Sequence, residues 1–308
     1  MVASWFSIAS LYGSFLHRCI SSSGLSSQTV TIVHENGKKT RMHYWGPNPE
    51  SVSPSKPSLV LIHGFGPAGA WQWRPQITDF SRHFNLYVPD LVFFGDHSST
   101  ESEERSEIFQ AVCVGKLMEE IGVERYSVVG TSYGGFVAYR LAGMWPERVE
   151  KVVIASSGVN LTKKDNERLM KRANVGRIEE LMLPGNPGQL RTLLSLSVHY
   201  WRPYYVPDFV LNDFLQKLYG KNRKEKLELL KGLTLGRDDS PQITPLKQEV
   251  LIVWGQNDQI FPLEKAKQLK ECLGEKAKLE VLKNASHLPQ LEQSGKFNKV
   301  VKAFLFAS

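Results

Sequence analysis

The sequence predicts an α/β protein built on a mostly parallel sheet, and three observations carry that expectation. Short apolar runs recur along the chain, at Leu59 to Ile62, Leu86 to Val88, Tyr126 to Val129, Val152 to Ala155, Val250 to Val253 and Leu279 to Leu282, interrupted only by Ser127 in the third and Glu280 in the last. A strand covered on both faces reads this way, because neither face calls for polar side chains. Helical patterns lie between the runs, at Ile108 to Ile121, Phe136 to Met144, Leu263 to Leu273 and Phe297 to Phe306. Strands alternating with helices imply a parallel sheet with helices on both sides. The alternation then breaks once, from about Gly158 to Leu246, where helical stretches such as Asp213 to Leu230 accompany no buried strand. That segment is too long for a structureless loop, so it reads as a helical cap inserted between two core strands.

The elements before the first buried run are of another kind. Thr29 to Val33 and Thr40 to Trp45 are β-rich and flank Asn36-Gly37, a hairpin signal. A Pro/Ser-rich loop, Pro47 to Pro57, follows. Upstream, Trp5, Ile8, Tyr12, Phe15, Leu16 and Cys19 fall on one face at helical spacing, ahead of a serine run and Gly24. The division is therefore an N-terminal amphipathic extension over 1–27, a first core segment over 28–157, the cap over 158–246 and a second core segment over 247–308. The N-terminal helix packs on its own domain in the first reading. Peripheral membrane contact is the sharper alternative, and the few basic residues on its polar face favour packing.

Composition narrows the function. Of 308 residues, 42% are hydrophobic and 22% charged, which is ordinary for a globular chain long enough to bury a large core. The three cysteines, Cys19, Cys113 and Cys272, are too widely spaced for a zinc site or a disulfide framework. A net charge of +7 is mild, and its one dense patch, Lys221, Arg223, Lys224 and Lys226, reads as a solvated helix face. No aromatic and basic interleaving accompanies it, so nucleic acid is not an expected partner. No apolar run reaches the roughly 18 residues of a membrane span. A cytoplasmic protein is the first expectation. An organellar location is the alternative, since Met1 to His34 is serine-rich and lacks acidic residues, although Arg18 is its only arginine.

The chemistry is concentrated at strand ends. Gly130-Thr131-Ser132-Tyr133-Gly134-Gly135 follows one apolar run and precedes a helix starting near Phe136. A G-x-S-x-G in that strand–turn–helix setting is a nucleophile elbow, with glycines where a Cβ would clash. A serine hydroxyl needs a base. Of the eight histidines, only His287 follows the last core strand. The base in turn needs an acid to orient it, and Asp258 follows the preceding strand in Gly255-Gln256-Asn257-Asp258. Two backbone amides stabilise the oxyanion of acyl transfer. Here they are Tyr133, after the nucleophile, and Phe65, in the His63-Gly64-Phe65-Gly66 loop. His63 itself reads as a loop-fixing residue, Asp90 as a structural turn residue, His97 as lying off the pocket, and Asp238 and Asp239 as surface positions. In the cap, Leu181, Met182, Tyr200, Trp201, Tyr204 and Tyr205, with Phe209, are the candidate substrate contacts, to be weighed against simple cap packing.

Together, His63-Gly64-Phe65-Gly66, Gly130 to Gly135, Trp254 to Asp258 and Ser286-His287-Leu288-Pro289 resemble the α/β-hydrolase superfamily, in the branch of monoacylglycerol lipases, small esterases and carbon–carbon (meta-cleavage-product) hydrolases. The N-terminal helix and the Asp90 to Gly95 segment are similar to plant members. The resemblance covers about Ser27 to Ser308 and fades across the cap. It implies a mostly parallel eight-stranded sheet and no metal or organic cofactor. Relatives that open epoxides or dehalogenate carry an aspartate where this chain has Ser132, which argues against those activities. The expected function is hydrolysis of small hydrophobic or aromatic carboxylic esters through an acyl-enzyme on Ser132. Carbon–carbon bond cleavage and a hydrolase-fold receptor are the rivals. The stretch from His287 to Glu292 loosely resembles the acid-after-histidine spacing of an acyltransferase.

Overall fold

The computed structural model describes residues 7–200 and 203–307. Its strands are β1 (Leu25–Val33), β2 (Lys39–Pro47), β3 (Ser58–Ile62), β4 (Asn85–Pro89), β5 (Ser99–Thr100), β6 (Tyr126–Thr131), β7 (Val149–Ala155), β8 (Glu249–Gly255) and β9 (Ala277–Leu282). Eight of them form one sheet in the order β1-β2-β4-β3-β6-β7-β8-β9, and the two-residue β5 pairs beside β2. β1 and β2 form the antiparallel hairpin, β2 is antiparallel to β4, and every pairing from β4 to β9 is parallel. This is the mostly parallel eight-stranded sheet of the α/β-hydrolase fold, widened by one short strand. The six apolar runs are its parallel strands. Val60, Ile62, Val128, Val152 and Ile252 pack on one face, and Leu59, Leu61, Val129, Val153 and Val253 on the other.

Among the described residues, twelve α-helices accompany the sheet. α1 (Ile8–Ser22) and α2 (Gly69–Phe80) precede α3 (Glu107–Glu120) and α4 (Tyr133–Met144). Between β7 and β8 come α5 (Lys163–Ala173), α6 (Ile178–Met182), α7 (Pro187–Ser197), α8 (Asp208–Phe214), a π-helical turn over Leu215–Tyr219, and α9 (Arg223–Gly232). α10 (Leu263–Leu273), α11 (Pro289–Glu292) and α12 (Ser294–Phe306) complete the core. The helices between β7 and β8 bury a small cluster of their own, Leu183, Leu190, Leu211, Leu215 and Tyr219, against which Phe65 of the core also packs. α2 lacks a clean apolar period and carries Pro75 inside it, so the sequence pattern does not reveal it.

α1 docks on a face other than the expected one. Its buried residues are Ala9, Leu16 and Ile20, while Ile8, Leu11, Tyr12 and Phe15 are exposed; Trp5 lies outside the described residues. The rotation follows from how the helix is anchored. Asp213 of α8 accepts hydrogen bonds from the Ser7 hydroxyl (2.6 Å) and the Ala9 amide (2.8 Å), pinning the helix start to the inserted helices. Tyr12 packs on Trp71 of α2, with ring centroids 5.0 Å apart.

The turn from β6 into α4 is the tightest packed point of the fold. A Cβ built on Gly130 would lie 2.2 Å from the Gly134 carbonyl oxygen, and one on Gly134 would lie 2.2 Å from the Ile62 carbonyl oxygen. Both obstacles are backbone atoms, one in the first turn of α4 and the other at the end of β3, and cannot step aside. Gly134→Ala is therefore expected to cost at least about 2 kcal/mol of unfolding free energy. Denaturant titration checks this, and an unchanged midpoint would contradict the close approach.

Candidate active site

Three side chains from distant parts of the chain meet at the carboxyl ends of the parallel strands, where open α/β sheets place their ligand crevice. Ser132 directly follows β6 and sits at φ 51°, ψ −121°, a strained conformation for a residue with a side chain. The strain is held from several sides. The Ser132 amide donates to the Ala155 carbonyl (2.9 Å), and the Ser157 hydroxyl donates to the Ser132 carbonyl (2.5 Å). α4 begins at Tyr133 itself, three residues earlier than the apolar pattern suggests, so Ser132 occupies its N-cap position without capping it.

His287 Nε2 lies 3.0 Å from Ser132 Oγ, and its Nδ1 lies 2.9 Å from Asp258 Oδ2. Asp258 follows β8, and its other carboxylate oxygen accepts the Ile260 and Phe261 amides, each at 2.9 Å. With the carboxylate accepting from Nδ1–H, Nε2 is left free to accept the serine proton. All three residues are buried. A hydroxyl, imidazole and carboxylate in this order can move a proton off the hydroxyl while the carboxylate stabilises the resulting imidazolium.

The amides of Phe65 and Tyr133 have no protein acceptor among the described hydrogen bonds. Tyr133 is the first residue of α4, so its free N–H also lies at the positive end of that helix. The Phe65 loop is clamped by a residue that sequence reasoning missed. Gln72 of α2 accepts the Gly64 amide (2.9 Å) and donates to the carbonyls of Gly64 (3.0 Å) and Pro67 (2.5 Å). His63 fixes the same loop from below. Its Nε2 accepts the Leu91 amide at 3.0 Å, so Nδ1 carries the proton and donates to the Gly64 carbonyl at 2.8 Å. Asp90 accepts the Gly69 amide (2.9 Å) and the His43 imidazole (2.8 Å), a structural arrangement.

Glu292 is the second residue whose role was not foreseen. One oxygen accepts the Ser286 amide (2.6 Å) and the other the His199 amide beyond α7 (2.5 Å). The His287 amide in turn donates to Ser197 at the end of α7 (3.0 Å). The carboxylate thus ties the histidine loop to the inserted helices and does not reach the reacting groups. Its distance from His287 in sequence is the only signal that could have marked it.

Ser132 and His287 open into a cavity of about 520 Å³. Its wall is apolar and comes from several elements: Leu190, Leu193 and Leu194 of α7, Val210 and Phe214 of α8, and Trp71 of α2. Among the described residues no Lys, Arg, Asp or Glu lines it. A smaller chamber of about 130 Å³ also reaches Ser132, lined by Phe136, Leu161 and Leu169 among others, with Arg237 as the only charged residue among the described ones. Met182 borders both chambers. The remaining cap candidates do not. Leu181 is buried in the main core and lines neither chamber, while Tyr200, Tyr204 and Tyr205 are 66%, 71% and 80% exposed and Phe209 is exposed beside them. Trp201 lies outside the described residues. The aromatic patch is on the outer surface of the inserted helices. The cavity wall is built instead from leucines and valines whose spacing looked like ordinary helix packing.

The model of the α/β-hydrolase fold family matches residues 57–294. A 2-hydroxy-6-oxo-6-phenylhexa-2,4-dienoate hydrolase of Burkholderia cepacia is 24% identical over 92% of this chain and 98% of its own. Among solved structures, a bacterial membrane phospholipase A superposes with a TM-score of 0.77 at 22% identity, covering 96% of this chain and 91% of that one. The 2-hydroxy-6-oxo-6-phenylhexa-2,4-dienoate hydrolase of Rhodococcus sp. strain RHA1 superposes with a TM-score of 0.70 at 24% identity, covering 92% and 100%. These relatives are bacterial and lend no support to the likeness to plant members. No described helix is long and apolar enough to cross a membrane.

Burial holds the His63 imidazole below its ordinary pKa of 6.5. Below that pH the unfolded chain takes up a proton that the folded chain refuses, so stability present at neutral pH is lost on acidification. Unfolding free energy measured between pH 7 and 5 should therefore fall with a shallower slope in His63→Asn than in the parent. Identical slopes would remove His63 from this account.

Proposed function

The chain belongs to the α/β-hydrolase family, and from that footing we propose that it is a serine-dependent carboxylic-ester hydrolase acting on hydrophobic or aromatic esters. The observation that carries this reading is the Ser132–His287–Asp258 relay opening into a cavity whose described lining carries no Lys, Arg, Asp or Glu. Ser132 Oγ attacks the acyl carbon while His287 Nε2 takes its proton. The carbonyl electron pair moves onto oxygen and is held by the Phe65 and Tyr133 amides. Collapse of this intermediate expels the alkoxide, which His287 protonates. A water molecule, deprotonated by His287, then releases the acid and restores Ser132. Chambers on either side of the nucleophile give the acyl and alcohol parts separate places, and both walls favour apolar groups.

Carbon–carbon hydrolysis uses the same relay, and the names of the matched relatives give their substrates as dienoates, which carry a carboxylate. In the larger cavity such a group would meet no countercharge among the described residues, and an unpaired buried carboxylate is costly. The feature of the described site that favours this second reading is Arg237 in the smaller chamber, although that residue is exposed and donates to the Lys231 carbonyl.

Parallel assays with p-nitrophenyl esters of rising chain length and with a vinylogous diketone acid separate the two. The proposal expects ester turnover that Ser132→Ala lowers by at least about 10³-fold, together with loss of fluorophosphonate labelling. Preferred cleavage of the diketone, weakened by Arg237→Met, would favour carbon–carbon chemistry. Undiminished labelling of Ser132→Ala would overturn both.

A further inference from the structure

The basic run that opens α9 is not the solvated face its composition suggests. Lys221 does pair with Asp96 in solvent (2.7 Å), and Arg223 donates to the carbonyls of Leu183 and Pro184. Lys226, however, is only 3% exposed. Among the described residues its ammonium has no hydrogen-bond acceptor and no carboxylate within 4.0 Å; its recorded neighbour is the ring of Phe94, 5.4 Å from the centroid. Burial pushes its pKa down to about 8, so the group is still mostly charged at neutral pH. The ammonium is not one of the described polar atoms cut off from solvent, so the side chain is enclosed along its length while its charged end reaches the surface of a cavity without a protein partner.

Lys226 lines a cavity of about 280 Å³ distinct from the two chambers at Ser132, near the lower end of the size range of ligand pockets. Lys217 and Lys221 face it from the inserted helices, His97 and Asp96 from the core, and His17 from α1. Its two carboxylates are already committed. Asp96 serves Lys221, and Asp90 serves His43 and the Gly69 amide. His43 is committed too, with Nδ1 on Asp90 and Nε2 on Ser27 (2.8 Å). What remains unspent among the titratable groups of the described lining is the two lysines Lys226 and Lys217 and the two imidazoles His97 and His17, with no free carboxylate.

We propose that this cavity binds the oxyanion group, phosphate or carboxylate, of a small molecule, held by Lys226 with Lys217 and His97. Because the ligands come from both the inserted helices and the core, the bound anion ties the two together. Pro67, Trp71 and Leu218 line both this cavity and the one at Ser132. Occupancy is therefore felt beside the Phe65 loop, which makes the site a point of control over the hydrolase centre and not a part of it.

Thermal unfolding and titration calorimetry of the full chain test this, with inorganic phosphate and acetate as separate probes and chloride at matched ionic strength as the control. The expected result is a saturable rise in Tm of a few degrees with at least one oxyanion. The preferred oxyanion distinguishes phosphate from carboxylate ligands. Ser132→Ala should retain the response, so the outcome does not depend on the hydrolase assignment. Lys226→Met should weaken binding at least tenfold, and Lys217→Gln, at an exposed position, several-fold. No saturable effect beyond chloride, or equal binding by Lys226→Met, would overturn the site. Should Lys226→Met fail to fold, unchanged affinity in both Lys217→Gln and His97→Gln would overturn it equally.

Discussion

The close approach of the β6–α4 turn to the carbonyls of β3 is the constraint on which the rest of the site depends. Gly130 and Gly134 let the backbone fold back on itself within distances that no side chain would permit. The residue between them is forced to positive φ. That conformation costs of order 1–3 kcal/mol, and the sheet supplies it through the Ala155 and Ser157 hydrogen bonds. In return the Ser132 hydroxyl stands above the strand ends, and the first free amide of α4 stands beside it. The hydroxyl and the unpaired Tyr133 amide are thus placed by a single turn.

The remaining groups are positioned by restraints that each reach in from a different element. Asp258 is fixed by two amides of its own loop before it meets His287. Gln72 of α2 and His63 hold the Phe65 loop from opposite sides. Glu292 and the Ser197 carbonyl bind the histidine loop to the inserted helices. The helices above the sheet therefore wall the cavity and also share hydrogen bonds with the histidine loop, so movement of α7 would be transmitted to His287.

How much of this was legible in the sequence varies with the physics of each part. Strands buried on both faces read as apolar runs because no polar face interrupts them, which made β3, β4 and β6 to β8 visible; β9, at the sheet edge with Lys278 and Glu280 exposed, showed only through Leu279, Val281 and Leu282. The residues now found in the relay could be picked out because each follows such a run, and backbone topology places them at one sheet edge. The cavity wall was not legible. A leucine facing a cavity and a leucine facing a neighbouring helix have the same spacing, and the conspicuous aromatics Tyr200, Tyr204 and Tyr205 are exposed and line neither chamber. α1 showed a correct apolar helix with the wrong face buried, because the Asp213 anchor is a long-range contact with no local signature. Lys226 was misread for a similar reason: charge runs are usually solvated, and only the fold shows that one member of this run turns inward.

Direct capture of the covalent intermediate tests the central claim most closely. The protein would be mixed with a slowly deacylating p-nitrophenyl ester, quenched in acid within the first turnover, and mapped by peptide mass spectrometry. The account predicts one acyl group per chain, carried on the hydroxyl of Ser132 and released on further incubation. An acyl group mapped to any other residue, or substrate turnover with no acylated peptide at any quench time, would contradict it.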